Sequence, residues 1–104
     1  MSLAKLKTGE ELRKRRDVIV AAWPELQRKI RKQIYSFDEM KAKFVSMGCP
    51  VTPPEIGADM ASTRRAIYGA GMIRKRYTVL DTLLETGLTA RIIDKVLNGR
   101  YFTF

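Results

Sequence analysis

The stretch that decides the fold is residues 36–57, SFDEMKAKFVSMGCPVTPPEIG. It opens with a serine that Glu39 follows three residues later, a spacing typical of a helix start because each side chain can bond a free backbone amide of the first turn. Gly48 is a typical helix stop, and three prolines then stiffen the chain. Thr52 and Glu55 repeat the spacing around two prolines, which predicts one short helical turn.

A long basic helix is expected before this stretch. Thr8 with Glu11 gives the same start signal, and Pro24 is expected to break or kink the helix, which then continues or restarts. Apolar residues recur along it at helical spacing, at Leu12, Ile19, Trp23, Leu26, Ile30 and Ile34. In the following helix, the apolar residues expected to point inward are Met40, Phe44, Val45 and Met47.

Three further helices are expected after residue 57. Their expected caps are, in chain order, Asp59, Thr78 and Thr89. In the first, Gly69 and Gly71 lower helix propensity and suggest close packing against another backbone. The second should cover Val79–Glu85, and the last should end at Asn98-Gly99. No stretch alternates with a period of two, so the fold class is expected to be all-α, a compact bundle of about five to seven helices.

Charge and composition narrow the classes of function. The 104 residues carry a net charge of +9, mostly in the first third of the chain, which fits an anionic partner. We take residues 1–17 as a basic N-terminal segment that begins the first helix, and 18–104 as a helical domain. No apolar run approaches the roughly 20 residues that span a bilayer. One cysteine, Cys49, permits no internal disulfide and fits a cytoplasmic protein, and the absence of His removes the commonest metal ligand.

Two basic segments are candidate anion-binding sites. The first precedes a helix start, where free amides and the helix dipole attract phosphate. Its phosphate-binding or cleft-lining candidates are Arg74, Arg76, Tyr77, Thr78 and Asp81. A solvated basic turn, or arginine paired with Asp81 and Glu85, is the alternative. The candidates for contact with an anionic surface are Arg13, Lys14, Arg15 and Arg16. With residues 28–32 they could follow nucleic-acid phosphates, or simply form solvated helix faces.

Two segments resemble a known enzyme family. They are residues 47–57, MGCPVTPPEIG, and residues 73–84, IRKRYTVLDTLL, with a helix between them. Both are similar to the C-terminal part of sn-glycerol-1-phosphate dehydrogenases, members of the iron-containing alcohol dehydrogenase and dehydroquinate synthase superfamily. The resemblance covers residues 18–97.

The resemblance implies a two-domain parent that reduces dihydroxyacetone phosphate to sn-glycerol 1-phosphate. An N-terminal α/β domain would bind NAD(P), and the helical domain would hold a divalent metal such as Zn, usually through an Asp and two His. This chain lacks the dinucleotide-binding domain, and it lacks the His ligands, which lie upstream of the matched region in the family. No catalytic, cofactor-binding or metal-binding residue is therefore assigned within it.

Two functions from different classes remain. In the first, the chain is the helical C-terminal subdomain of such an enzyme, inactive alone, which packs on the missing NAD(P)-binding domain of a parent that could be a homo-oligomer. In the second, it is a stand-alone basic helical module that binds nucleic acid or a protein partner. A bare apolar stripe on the first helix favours the first function, whereas basic runs on one common face favour the second.

Overall fold

The computed structural model describes residues 5–73 and 75–104, which form five α-helices and one 3₁₀ turn. In chain order these elements are α1 (Gly9–Gln33), α2 (Phe37–Ser46), the 3₁₀ turn (Pro53–Ile56), α3 (Met60–Ala70), α4 (Val79–Glu85) and α5 (Thr89–Leu97). No strand occurs in these residues, and none of their helices is long and apolar enough to cross a membrane. The expectation of an all-α bundle is confirmed.

Local signals set most of the helix boundaries. At the start of α2, the Glu39 amide donates to the Ser36 hydroxyl at 3.2 Å, and the Ser36 amide donates to the Glu39 carboxylate at 2.9 Å. Asp59 and Ser62 make the same reciprocal pair at the start of α3, at 2.7 and 3.0 Å. The 3₁₀ turn forms where the prolines predict it and ends at Gly57, whose φ of 76° lies in the left-handed region that favours glycine.

The helix continues through Pro24, which is one of the two outcomes expected at this proline, because a proline removes a single amide donor and the bonds on either side keep α1 continuous. The expected cap of α5 is wrong. Thr89 is the first residue of α5, and the cap position belongs to Leu88. Thr8 does occupy the cap position of α1, but its side chain makes no capping hydrogen bond there.

The close backbone packing expected at Gly69 and Gly71 is not found among the described residues. A Cβ at Gly69 would meet no atom within 4 Å, and one at Gly71 would meet the Leu80 side chain at 3.4 Å. Both residues lie where α3 ends, with Gly71 at its C-cap. Low helix propensity at that end of α3 is therefore the simpler account of them.

The buried core is small and lies where α5 packs on α3 and α4. Among the described residues, its fully buried large aliphatic side chains are Ile93 and Leu97, and two carboxylates of α4, Asp81 and Glu85, are buried equally deeply. The expectation that α2 points its apolar residues inward is wrong, because the main packing leaves α2 at the margin. The four residues that were expected to point inward are all exposed: Met40, Phe44, Val45 and Met47.

Candidate functional site

The start of α4 brings together three of the five phosphate or cleft-lining candidates. Asp81 Oδ2 accepts hydrogen bonds from the Thr78 amide at 2.7 Å and from the Thr78 hydroxyl at 3.1 Å. Tyr77 precedes this pair and keeps part of its ring exposed. The Asp81 carboxylate is buried, so it holds the first turn of α4 and faces protein rather than solvent.

Lys5 completes this arrangement from the N-terminal segment, a contact that sequence reasoning missed. Its Nζ lies 2.9 Å from Asp81 Oδ2 and donates to the carbonyl oxygens of Gly71 at 2.7 Å and Arg76 at 3.1 Å. Both charged side chains are more than nine-tenths buried. Burial alone would raise the pKa of Asp81, but the bonds from Lys5 and Thr78 and the attraction of the ammonium group outweigh it and hold that pKa below its ordinary value of 3.8.

A second ion pair, in which Glu85 is buried and Arg15 is partly exposed, lies one helical turn further along α4. Arg15 Nη1 lies 2.6 Å from Glu85 Oε1 and also donates to the Lys5 carbonyl oxygen at 3.2 Å. The Arg15 guanidinium carbon is 5.1 Å from the centre of the Tyr77 ring, a cation–π contact. The other carboxylate oxygen of Glu85 is buried and has no hydrogen-bond donor among the described residues. The two ion pairs fasten the N-terminal segment and α1 to α4.

A groove of about 500 Å³ lies beside these ion pairs and is lined by Lys5, Lys7, Arg15, Ile19 and Tyr77. Its positive charge is largely compensated, because the buried carboxylates of α4 hold two of the three cations. The third, Lys7, lies 3.7 Å from Glu11. The groove can accept a small polar group, but it has no large surplus of charge with which to bind phosphate.

Arg76 takes no part in the ion pairs of the described residues. Arg76 contributes only its carbonyl oxygen, and its exposed side chain has no ion-pair partner in residues 5–73 and 75–104. Arg74 lies outside the described residues. The alternative expectation was that arginine pairs with Asp81 and Glu85. Both carboxylates are paired, but their partners are Lys5 and Arg15.

The four basic residues at positions 13–16 of α1 lie in different environments. Arg13 is exposed and pairs with Glu10 at 2.7 Å, whereas Arg15 is partly buried and pairs with Glu85. Lys14 and Arg16 are exposed, without an ion-pair partner in the described part of the chain. A helical repeat of about 100° per residue also spreads these consecutive side chains around the helix. The run therefore does not form one contact face.

A second, mostly apolar groove of about 650 Å³ lies between α2, the 3₁₀ turn and α3. Its walls include Phe37, Met40, Phe44, Pro53, Ile56 and Phe102. Lys41 supplies its one charged side chain, so the groove suits an apolar group better than a charged substrate. The connector that carries the family resemblance forms one of its walls.

The metal and the nucleotide implied by the resemblance do not fit the residues of this chain. It has no His and one Cys, and the described residues contain no group of three His, Cys, Asp or Glu that could hold a metal ion. Several carboxylates are already engaged, such as Asp81 and Glu85 in ion pairs and Glu39 at a helix start. The same residues include no strand on which a dinucleotide-binding turn could be built. No chemical step that uses the metal or the nucleotide is therefore assigned to residues of this chain.

Comparison of the chain with protein-family models, with curated proteins and with solved structures finds no match. The resemblance of residues 47–57 and 73–84 is therefore the basis on which a family is proposed. The exposed surface of the molecule bears on a separate question, which is whether another domain or chain covers part of it.

Proposed function

We propose that this chain is the helical C-terminal subdomain of an oxidoreductase resembling sn-glycerol-1-phosphate dehydrogenase, and that it is not catalytic alone. The parent depends on NAD(P) and on a divalent metal such as Zn, and it acts in the cytoplasm. Its N-terminal domain binds the nucleotide, and the metal ligands also lie outside this chain. The segments at residues 47–57 and 73–84 support the choice of family.

The observation that carries this proposal is the amount of surface that the chain exposes. Its accessible surface is 8052 Å², whereas a monomeric protein of this mass exposes about 6,000 Å². The excess of about 2,000 Å² is comparable with one partner's share of a large obligate interface, to which each side contributes roughly 1,000–2,500 Å². Such an excess is expected of a subdomain separated from the body that it covers.

The apolar stripe of α1 supplies part of this surface. At about 100° per residue, Trp23, Leu26 and Ile30 fall within a sector roughly 60° wide, and Ile34 extends the row beyond the helix. These four side chains are between 38% and 64% exposed. A row of aromatic and aliphatic side chains left this open is typical of a surface that meets a partner. This bare stripe supports the subdomain interpretation.

The net charge of the chain bears on what covers the stripe. A second copy would also carry +9, and the repulsion between two such copies opposes their association. A different domain, the NAD(P)-binding domain of the parent, is therefore the occupant that we propose. Assembly of the whole parent into a homo-oligomer remains a prediction.

In the parent, this subdomain packs on the nucleotide-binding domain and shapes the substrate side of the cleft. Its positive charge attracts a phosphorylated substrate such as dihydroxyacetone phosphate. A divalent metal in the parent would supply polarisation of the substrate carbonyl, and a nicotinamide would supply the hydride. Both groups belong to the part of the parent outside this chain.

Fragment complementation tests the proposal. An sn-glycerol-1-phosphate dehydrogenase truncated before its counterpart of residue 18 is mixed with this chain, Zn²⁺ and NADH, and oxidation of NADH by dihydroxyacetone phosphate is followed. We expect turnover on mixing and none from either fragment alone. The Trp23→Gln/Ile30→Gln variant should weaken the complex at least about tenfold, because it places polar groups in the apolar stripe.

The control is Val18→Gln, which replaces an exposed apolar residue of α1 that lies about 80° around the helix from the nearest residue of the stripe. This control should bind as the unaltered chain does. Turnover by this chain alone would contradict the proposal. So would the absence of both complex and turnover on mixing, or an equal loss of binding in the two variants.

A further inference from the structure

The C-terminal half of α1 carries a cationic groove that the proposed function does not use. It has a volume of about 380 Å³ and is lined by Pro24, Gln27, Arg28, Arg31 and Lys32. By the helical repeat, Arg28 and Lys32 lie about 140–180° around the helix from Trp23 of the apolar stripe, whereas Arg31 lies about 80° from it. Arg28 and Lys32 therefore stay open to solvent when the stripe is covered.

Much of the positive charge around this groove is not neutralised. Four cations, Arg28, Lys29, Arg31 and Lys32, are opposed in this half of α1 by one carboxylate, Glu25. Glu25 binds Arg28 through both of its oxygens, at 2.5 and 2.9 Å, and lies 3.8 Å from Lys29. Arg31 and Lys32 make no ion pair with any other described residue. The groove thus has free cationic donors on a rigid helix.

An exposed aromatic ring follows the groove directly along the chain. Tyr35 is 56% exposed, and Lys43 Nζ lies 4.8 Å from the centre of its ring. Proteins that bind single-stranded nucleic acid combine a positive groove, which follows the phosphates, with aromatic rings on which bases stack. The groove and Tyr35 together have this composition.

We infer that the α1 groove and Tyr35 form a surface for single-stranded nucleic acid, with the cations binding phosphates and the ring stacking on a base. A helix that lies on a membrane presents large apolar side chains on the face that it inserts. The lining of this groove includes no such side chain, so an anionic membrane fits it less well. The roughly 15 Å of helix from Pro24 to Gln33 is long enough to meet several consecutive phosphates.

Fluorescence anisotropy with a fluorescein-labelled oligothymidylate of about 20 nucleotides tests this inference. Contact with about three phosphates predicts a slope of about −2 for log K against log salt concentration. The Arg28→Gln/Arg31→Gln/Lys32→Gln variant should bind at least about tenfold more weakly and with a shallower slope. Tyr35→Leu should weaken binding about fivefold without changing the slope, because stacking is not ionic.

The matched control is Arg65→Gln/Arg91→Gln/Lys95→Gln, which removes the same net charge from exposed positions on α3 and α5. We expect it to weaken binding less than threefold. An equal loss in the two triple variants would overturn the inference, because net charge alone would then explain binding. The absence of saturable binding near 0.1 M salt would also overturn it, as would tighter binding to phosphatidylserine vesicles or to polyglutamate at equal salt.

Discussion

Replacing Lys5 by Met tests whether the buried ion pair with Asp81 holds the N-terminal segment on α4. The substitution removes the ammonium group but keeps a long apolar stem. That group lies 2.9 Å from Asp81 Oδ2 and 2.7 and 3.1 Å from two carbonyl oxygens. Removing one partner of a buried ion pair usually costs about 3–5 kcal/mol. We expect about 3 kcal/mol, the lower end of that range, because Asp81 keeps its two hydrogen bonds from Thr78.

The free energy of unfolding is measured by urea denaturation at pH 7, followed by circular dichroism. Lys5→Met, Asp81→Asn and the double variant complete a thermodynamic cycle, for which we expect a coupling energy of about 2 kcal/mol. The control Lys7→Met, at a partly exposed neighbouring lysine, should change stability by less than about 0.5 kcal/mol. A coupling energy near zero, or equal effects at the two lysines, would refute the structural role of this pair.

Three further predictions concern α4 and the connector. The pKa of Asp81 is lowered in the folded state, so the contribution of Asp81 to stability is complete above about pH 4 and is lost as the pH falls through the folded pKa. The free energy of unfolding in urea, measured at a series of acid pH values, should show this loss in the unaltered chain and not in Asp81→Asn. Arg15→Met should cost about 2 kcal/mol of stability, less than for a fully buried pair, because the guanidinium is partly exposed. Adding Glu85→Leu should restore most of that stability. Failure of this rescue in urea unfolding would contradict the ion pair between Arg15 and Glu85. Gly57→Ala should cost about 1–2 kcal/mol in the same assay, because the backbone at Gly57 is left-handed, although an added Cβ would meet no described atom within 4 Å. A neutral result would count against that conformation.

The boundaries of the helices could be predicted because they depend on neighbouring residues. The expected bounds of α4, Val79–Glu85, are those in the structure, and the paired hydrogen bonds of Ser36 and Glu39 form as their spacing predicts. Asp59 caps α3 as expected. Pro24 was harder to interpret, since the cost of one missing amide donor is local but the bonds that offset it extend along the whole of α1.

Contacts between distant segments could not be predicted. Arg15 and Glu85 are 70 residues apart, and no local pattern indicates that they pair. One signal was available, because Asp81 and Glu85 are four residues apart and therefore lie on one face of a short helix. That spacing could have indicated two paired carboxylates, but it carries no information about Lys5 as a partner.

The burial of the apolar residues was misjudged for a physical reason that bears on function. Helical periodicity identifies a face that is suited to burial, but it does not say whether the covering partner belongs to the same chain. In α2 the expected inward residues, such as Phe44 and Met47, are exposed, and the stripe of α1 around Trp23 is also open. These faces are well suited to a partner domain, which is how the proposed function interprets them.

The measurement that tests the central proposal most directly is the mass of the native polypeptide in the source cell, detected with an antibody raised against this chain. The account predicts a product several times heavier than the 11.9 kDa of this chain, because the nucleotide-binding domain would be part of the same polypeptide. A native product near 12 kDa would contradict it and would direct attention to nucleic-acid and partner binding by the chain itself.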